Sequence, residues 1–395
     1  MTYTLLFDLD DTLLDTNMDA FIPAYSKALS GALAEQVSPE LMIPALMGGT
    51  RAMMANTDPS LTLREVFDAH FYPKLNADRV TLQALIDRFY EEVFPSLASL
   101  TKPMPGAVDL VEWAFAQGHR VAIATNPFFP LRAIQHRLRW AGLPPDKYPF
   151  ALVSSYEAFH FTKETVAYYP EVMAQLGWPE DPVVMIGDDV EREVKPTQAA
   201  GFPVFLVRKP GDAASGIADI PQGPISSIRD WLASADPSML CLSFQTPQAL
   251  LACLRSTPAA LATLTSGLGA EVWSRQPRPG ERCLTEIVCL LRDVEREVIL
   301  PRVRKVLAED NPFMPGEETG HWVEERRYAE QDGRQALMDF ITARKEVISL
   351  LANLGSEWSL RTRHATCGPI TLQELIGFVA GQDRAHVQQV WKMIH

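Results

Sequence analysis

Residues 4–16 read TLLFDLDDTLLDT. The apolar run Leu5-Leu6-Phe7 stops at Asp8, Leu9 is set between acids, and Asp10, Asp11, Thr12 and Leu13 follow. A short apolar run that ends abruptly in carboxylates predicts a buried parallel strand whose carboxyl end is a functional edge, because ligands of open α/β sheets gather there. Two aspartates two positions apart on an extended segment share a side. One of them can attack a substrate while the other handles a proton.

Working outward, four more apolar runs follow at 120–124, 151–154, 183–186 and 203–207. Helical patterns at 107–117, 131–141, 164–176 and 191–200 separate them. Strands alternating with helices predict an α/β fold, a doubly wound parallel sheet. Residues 15–100 break the alternation with helical segments at 20–35, 63–75 and 81–94, joined at Gly48-Gly49 and Asp58-Pro59. An insertion placed directly after the first strand is positioned to cap the sheet's active edge. Within it Gly48-Gly49-Thr50-Arg51 reads as an interhelical turn with an exposed arginine, or as a loop reaching substrate.

Near 209–245 the composition turns to Gly, Pro and Ser, with one short helix at 226–233. This is the best linker candidate. Beyond it the pattern is helical only: 247–268, 285–307 with Thr285 as N-cap, 334–354 and 371–393, enough for an all-α four-helix bundle. The expected division is a core of 1–14 with 101–235, a cap of 15–100, a linker of 236–245 and a bundle of 246–395.

At 395 residues the chain exceeds one ordinary core. Hydrophobic residues make up 47% and charged residues 22%, as in a soluble globular protein. The net charge of −13 argues against general nucleic-acid binding, which needs a basic face. It leaves room for an anionic small substrate, since one lysine and a bound cation reverse the field locally. No stretch reaches the roughly 18–20 apolar residues of a membrane span. The N-terminal segment enters a strand without a basic region or cleavage signature, so no secretory signal is expected. All five cysteines lie after residue 240 and none forms CxxC. They read as reduced, mostly buried thiols of a cytoplasmic protein.

Four of these strands lead to a reactive residue: the first to Asp8 and Asp10, the second to Thr125 and Asn126 in RVAIATN, the fourth to Asp188 and Asp189 in VVMIGDD, and after the third comes Lys163 in HFTKE. Alone, DLDDT could be a solvated turn, GDD a common turn and Lys163 a surface residue. Together and in this order they resemble the haloacid dehalogenase (HAD) superfamily, over roughly residues 1–235. The resemblance implies a Rossmann-like core and a hydrolase (phosphatase) acting on a small phosphorylated metabolite, by way of an aspartyl-phosphate intermediate. Asp8 would attack, and Asp10 would protonate the leaving oxygen and then activate water. Thr125, Asn126 and Lys163 would hold the phosphate. Mg²⁺ would be held by Asp8, Asp10 through its carbonyl, and Asp188. An acid at position 10 marks the superfamily's phosphatases and phosphomutases, whereas its dehalogenases and transport ATPases carry a non-acid there. A phosphomutase is the alternative within the superfamily. Two departures stand out. Glu164 follows Lys163 where proline is usual, adding a negative charge beside the lysine, and Glu193 replaces the common second aspartate. Asp189 would bind the metal through water or orient the loop.

The second half, through CLTEIVCLLRDVE (283–295), HWVEERRYAEQD (321–332), ALMDFITARKEVISLL (336–351) and GPITLQELIGFVAGQDRAHVQQV (368–390), resembles DinB/YfiT-like four-helix bundles. That family commonly holds a divalent metal with three histidines. The matching positions here are Leu290, Gln382 and His386, and leucine cannot ligate. The resemblance therefore leaves packing, homodimer formation or small-ligand binding as roles for this half. A binding or scaffold protein whose working part is the bundle is the expectation from a different class.

Overall fold

The computed structural model describes residues 1–209, 211–212, 216–217 and 220–395. Thr4–Phe7 forms β1, with all four side chains buried. Its neighbours are β4 (Arg120–Ile123) and β6 (Val183–Gly187), both parallel to it and in register, Phe7 opposite Ile123 and Ile186. With β5 (Leu152–Val153), β7 (Val204–Val207) and β8 (Gln222–Gly223) they make a six-stranded sheet of order β5-β4-β1-β6-β7-β8. Between β1 and β4 come β2 (Leu14–Thr16) and β3 (Thr101–Pro103), an antiparallel pair. This pair binds the two ends of the 17–100 segment side by side, a stem for the helical cap.

The cap holds α1 (Met18–Leu33), α2 (Pro39–Met54), α3 (Leu63–Phe71) and α4 (Arg79–Arg88). Helix α3 opens with a capping box in which Thr62 and Glu65 satisfy each other's main-chain N–H. In the core, α5 (Ala107–Ala116), α6 (Leu131–Trp140), α7 (Tyr168–Gln175), α8 (Lys195–Ala199) and α9 (Ile228–Ser234) connect or flank the strands. The second half holds α10 (Pro247–Thr265), α11 (Ala270–Ser274), α12 (Leu284–Val294), α13 (Leu300–Ala308), α14 (Trp322–Glu325), α15 (Gly333–Leu351) and α16 (Leu372–Ile394).

Alternation along the strands assigns the two sheet faces. Leu5, Phe7, Val121, Ile123, Val184 and Ile186 pack with α5, α6, α9 and most of the cap in one apolar cluster. Leu6, Ala122, Met185, Val204 and Leu206 face the other way and join α7 and the bundle in a second. Every residue of α7 is buried, polar Glu171 and Gln175 included. The helix is sandwiched between the sheet and α10, so one apolar core runs from the sheet into the bundle.

Several local expectations change. Gly48-Gly49 lies inside α2 rather than in a turn. A Cβ on Gly49 would lie 2.6 Å from the Phe67 ring, so the glycine marks close α2–α3 packing. The helix expected from 164 begins at Tyr168, because 154–167 is the loop that presents Lys163. The 209–245 stretch contributes the sixth strand, β8, and α9, while part of its KPGDAASGIADIPQGP run lies outside the described residues. The second half is not helical only. A small sheet pairs β10 (Arg361–His364) antiparallel with β11 (Gly368–Thr371) and parallel with β9 (Phe313–Met314). Thr362 and Ile370 point inward from it while most of their neighbours stay wet, a two-residue alternation too short to stand out from a helical pattern. Cys283, not Thr285, caps α12, because the Glu286 carboxylate accepts the Cys283 N–H at 2.7 Å. The Thr285 hydroxyl instead donates to the Trp273 carbonyl. Cys253, Cys283 and Cys289 are buried, Cys241 and Cys367 are exposed, and all five are free.

Candidate active site

β1 ends at Asp8, whose N–H still donates to Ile186 O at 2.9 Å, so the residue is held in the ladder with its carboxylate at the sheet edge. The chain then turns sharply. Asp11 takes a left-handed conformation (φ 58°), and Leu13 and Leu14 N–H both donate to Leu9 O. Lys209 Nζ reaches Asp11 at 2.5 Å and Asp15 at 2.9 Å, tying this turn to the end of β7.

Lys163 enters from the loop after β5. Its amine lies 2.5 Å from Asp8 Oδ1 and 2.6 Å from Glu193 Oε1, and all three side chains are buried. The loop is fixed from beneath by buried Glu171, which accepts the main-chain N–H of His160 and Phe161 and the His160 ring N–H. Buried main-chain donors require such partners. Burial alone works against the Lys163 charge, but Asp8 and Glu193 hold its proton affinity well above that of an ordinary lysine.

β6 ends in Gly187-Asp188-Asp189. Carboxylate oxygens of Asp8, Asp188 and Glu193 all lie within 4.8 Å of one another. Burial, then repulsion from Asp8 and Asp11, pushes Asp188 up to about 7, and burial with the same Asp8 repulsion raises Glu193 strongly. Three acids face one ammonium, so the cluster lacks positive charge. A hard divalent ion takes oxygen ligands at about 2.1 Å, and opposite ligands then sit about 4.2 Å apart. The donor set and its spacing therefore fit such an ion after a small contraction. The Asp10 carboxylate is not part of this group and meets Arg137 instead.

The two acids left open by the sequence are engaged differently. Glu193 Oε1 meets Lys163, and its Oε2 accepts the Asp189 N–H at 3.1 Å. Gly187 makes that approach feasible, since a Cβ there would fall 1.8 Å from Glu193 Oε2. Asp189 accepts the N–H of Glu191 and Arg192 on one oxygen and meets Arg192 Nη1 with the other, so it caps and orients the loop.

β4 delivers Thr125 and Asn126. The Thr125 carbonyl accepts from Ser154 Oγ (2.6 Å) and Tyr168 OH (2.8 Å). Asn126 Oδ1 accepts the Lys163 N–H at 3.2 Å, and its amide donates to Glu164 at 3.2 Å. Glu164, which also meets Arg192 at 3.5 Å, thus spends its charge on Asn126 and Arg192.

One residue was not singled out from the sequence. Arg137 on α6 is 1% exposed and ion-paired with Asp10. Its guanidinium lies 5.3 Å from the Phe21 ring centre and 5.4 Å from that of Phe129. Burial lowers its proton affinity, to a pKa of about 10. The signal was present: Ala133, Ile134 and Leu138 form the buried stripe of α6, and Arg137 occupies a position within it.

In the bundle, Leu290, Gln382 and His386 line one cavity of about 340 Å³. Buried Arg344 borders it and pairs with Glu295 at 2.6 Å and with Asp383.

A buried carboxylate, a buried lysine and a group of acids whose spacing suits a cation meet at the carboxyl edge of a doubly wound sheet beneath a helical cap. That is the build of a capped α/β hydrolase site. Comparison with known families agrees: the chain belongs to the haloacid dehalogenase-like hydrolases, matched over residues 3–201. Residues 254–390 match the DinB superfamily. Similar proteins include phosphoglycolate phosphatases of Rhodospirillum rubrum (27% identical over 244 residues, 60% of this chain and 93% of the relative) and Caulobacter vibrioides (28% over 204 residues, 52% and 78%). Among solved structures, YfiT from Bacillus subtilis, an unusual four-helix bundle, aligns at 18% identity and a TM-score of 0.35, over 39% of this chain and 88% of that one.

Proposed function

We propose that the protein is a Mg²⁺-dependent phosphomonoester hydrolase working through an aspartyl-phosphate on Asp8. The observation that carries this reading is the buried Asp8–Lys163–Glu193 contact beside Asp188. Asp8 Oδ attacks phosphorus, the ester oxygen leaves with a proton from Asp10, and Asp10 then takes a proton from the water that cleaves the acyl phosphate. Lys163 and the Thr125 hydroxyl bind phosphoryl oxygens, with Asn126 bracing Lys163. Mg²⁺, held by Asp8, Asp188 and the Asp10 carbonyl, would neutralise the phosphoryl charge that otherwise repels the attacking carboxylate. The division into core, cap, linker and bundle belongs to the same reading, as do a cytoplasmic setting and a homodimer formed through the bundle, which sedimentation would test.

The decisive test is hydrolysis of an aryl phosphate by the full chain with Mg²⁺. Asp8→Asn is expected to lower turnover by at least about 10⁴-fold, and EDTA to abolish it. Undiminished turnover by Asp8→Asn overturns the reading. A phosphomutase would use the same side chains and is separated by phosphoryl exchange without net phosphate release.

A further inference from the structure

Between the cap and the core lies a cavity of about 180 Å³. Eight of its nineteen lining residues are aromatic, among them Tyr25, Phe67, Tyr90, Phe128 and Phe129. None is Lys, Arg or His, and the one charged residue is an acid, Asp68. Asp68 already meets Arg79 at 2.5 Å, and the Tyr72 hydroxyl donates to Gln83 at 2.7 Å, so the polar groups of the wall are largely spent on one another. The rim carries Met18, Ile22 and Met47, which are 36–43% exposed. Apolar side chains left wet around a concave site are a mark of ligand binding.

None of the candidate reacting residues lines the cavity, but Phe128 and Phe129 in its wall connect to them. Phe128 stands two residues beyond Asn126, no more than about 7 Å along the chain. Its N–H folds back to Asn126 O at 2.8 Å, which shortens that span. Phe129 meets the guanidinium that pairs with Asp10, so one side chain separates the cavity wall from the residue assigned to the leaving oxygen.

We infer that this cavity receives the leaving group of the substrate, and that the group is apolar and ring-sized. This inference rests on the phosphatase reading and names its substrate class. A dry cavity of about 150 Å³ accommodates benzene, so 180 Å³ takes one aromatic ring or a branched chain of similar bulk. A second carboxylate, as on phosphoglycolate, would be buried there without a cationic partner and beside Asp68, which is costly.

The test compares benzyl phosphate, methyl phosphate and phosphoglycolate as substrates of the full chain with Mg²⁺. It also compares binding of benzylphosphonate with methylphosphonate by calorimetry. Benzyl phosphate should exceed phosphoglycolate in kcat/KM by at least about tenfold, and benzylphosphonate should bind at least about tenfold more tightly than methylphosphonate. Thr50→Phe, which fills the cavity from α2, should remove the benzyl advantage while leaving methyl phosphate turnover within about twofold. Should that variant misfold by circular dichroism, Ser26→Phe fills the cavity from α1. Preference for phosphoglycolate, equal binding of the two phosphonates, or an unchanged benzyl advantage in a folded cavity-filling variant overturns the inference. If no ester is turned over, the phosphatase reading falls, while the phosphonate comparison still judges the cavity.

Discussion

Arg137 shows how one buried side chain organises the reacting residues. A guanidinium in an apolar stripe must find a counter-charge, and Asp10 supplies it. Arg137→Met leaves Asp10 without that partner and should lower kcat by about tenfold or more while KM changes little, as expected for a positioning residue. Arg137→Lys keeps the charge and should recover part of the loss. Because Asp10 is 20% exposed, the stability cost of Arg137→Met should not exceed about 3 kcal/mol, read by urea denaturation. Asp8 and Asp188 stood out as candidates because short apolar runs end in them, and Lys163 did so through the order of motifs it shares with them. Arg137 carried a fainter sign, an arginine at a core position of a helix, and its partner could be named only after folding.

The helices of the bundle repeat this device. Glu295, Arg344 and Asp383 each occupy a position on the buried stripe of their segment, and the three meet as one ion triad. Arg344→Met strands two buried carboxylates and should cost about 3–5 kcal/mol, whereas replacing all three with leucine and methionine should restore most of that stability. Chemical denaturation of both variants checks the pair of outcomes. His386, beside the triad, is held below the usual histidine pKa by burial and by Arg282, with Asp383 opposing. His119, His136 and His364 are lowered too, each mainly by burial. Below about pH 6.5 the unfolded chain takes protons that the native chain does not, so stability falls as pH falls until the lower native pKa values are passed. Asp188 and Glu193, raised in the native state, take up protons over the same range and oppose this. The histidine contribution is therefore read as the difference between thermal melts of the wild type and His386→Gln from pH 7 to 5, in which the wild type should lose more stability. A slope unchanged by that substitution would place the linkage elsewhere.

Across the whole molecule, the sheet stands between two apolar clusters, one shared with the cap and one with the bundle. Contacts from the second half reach both other parts. Thr263 donates to Ala158 O at 2.9 Å, Arg384 lies 5.9 Å over the Trp178 ring, and Lys345 pairs with Asp58 of the cap at 2.7 Å. Gly177 (φ 75°) lies against Trp391 of α16, and a Cβ there would fall 2.4 Å from the indole. Gly177→Ala should therefore strain the turn and push α16 away, lowering the melting temperature by several degrees. Residues 1–240 alone would expose the α10-facing side of α7, so that fragment is expected to be markedly less soluble than the full chain, as read by light scattering. A stable monomeric fragment would show instead that the bundle is an appendage.

By itself the sequence determined the order of the five main strands and the helices between them, the residues at or just beyond the strand ends and the mainly helical nature of the second half, because period, length and chain punctuation are local properties. It did not show that Gly48-Gly49 permits close helix packing, that 361–371 is a hairpin, or that Asp10 is held by Arg137. Nor did it show that an apolar cavity opens between the cap and Phe128-Phe129 or that α7 joins two regions in one core. Those features depend on which surfaces meet across hundreds of residues, and only the folded chain brings the surfaces together.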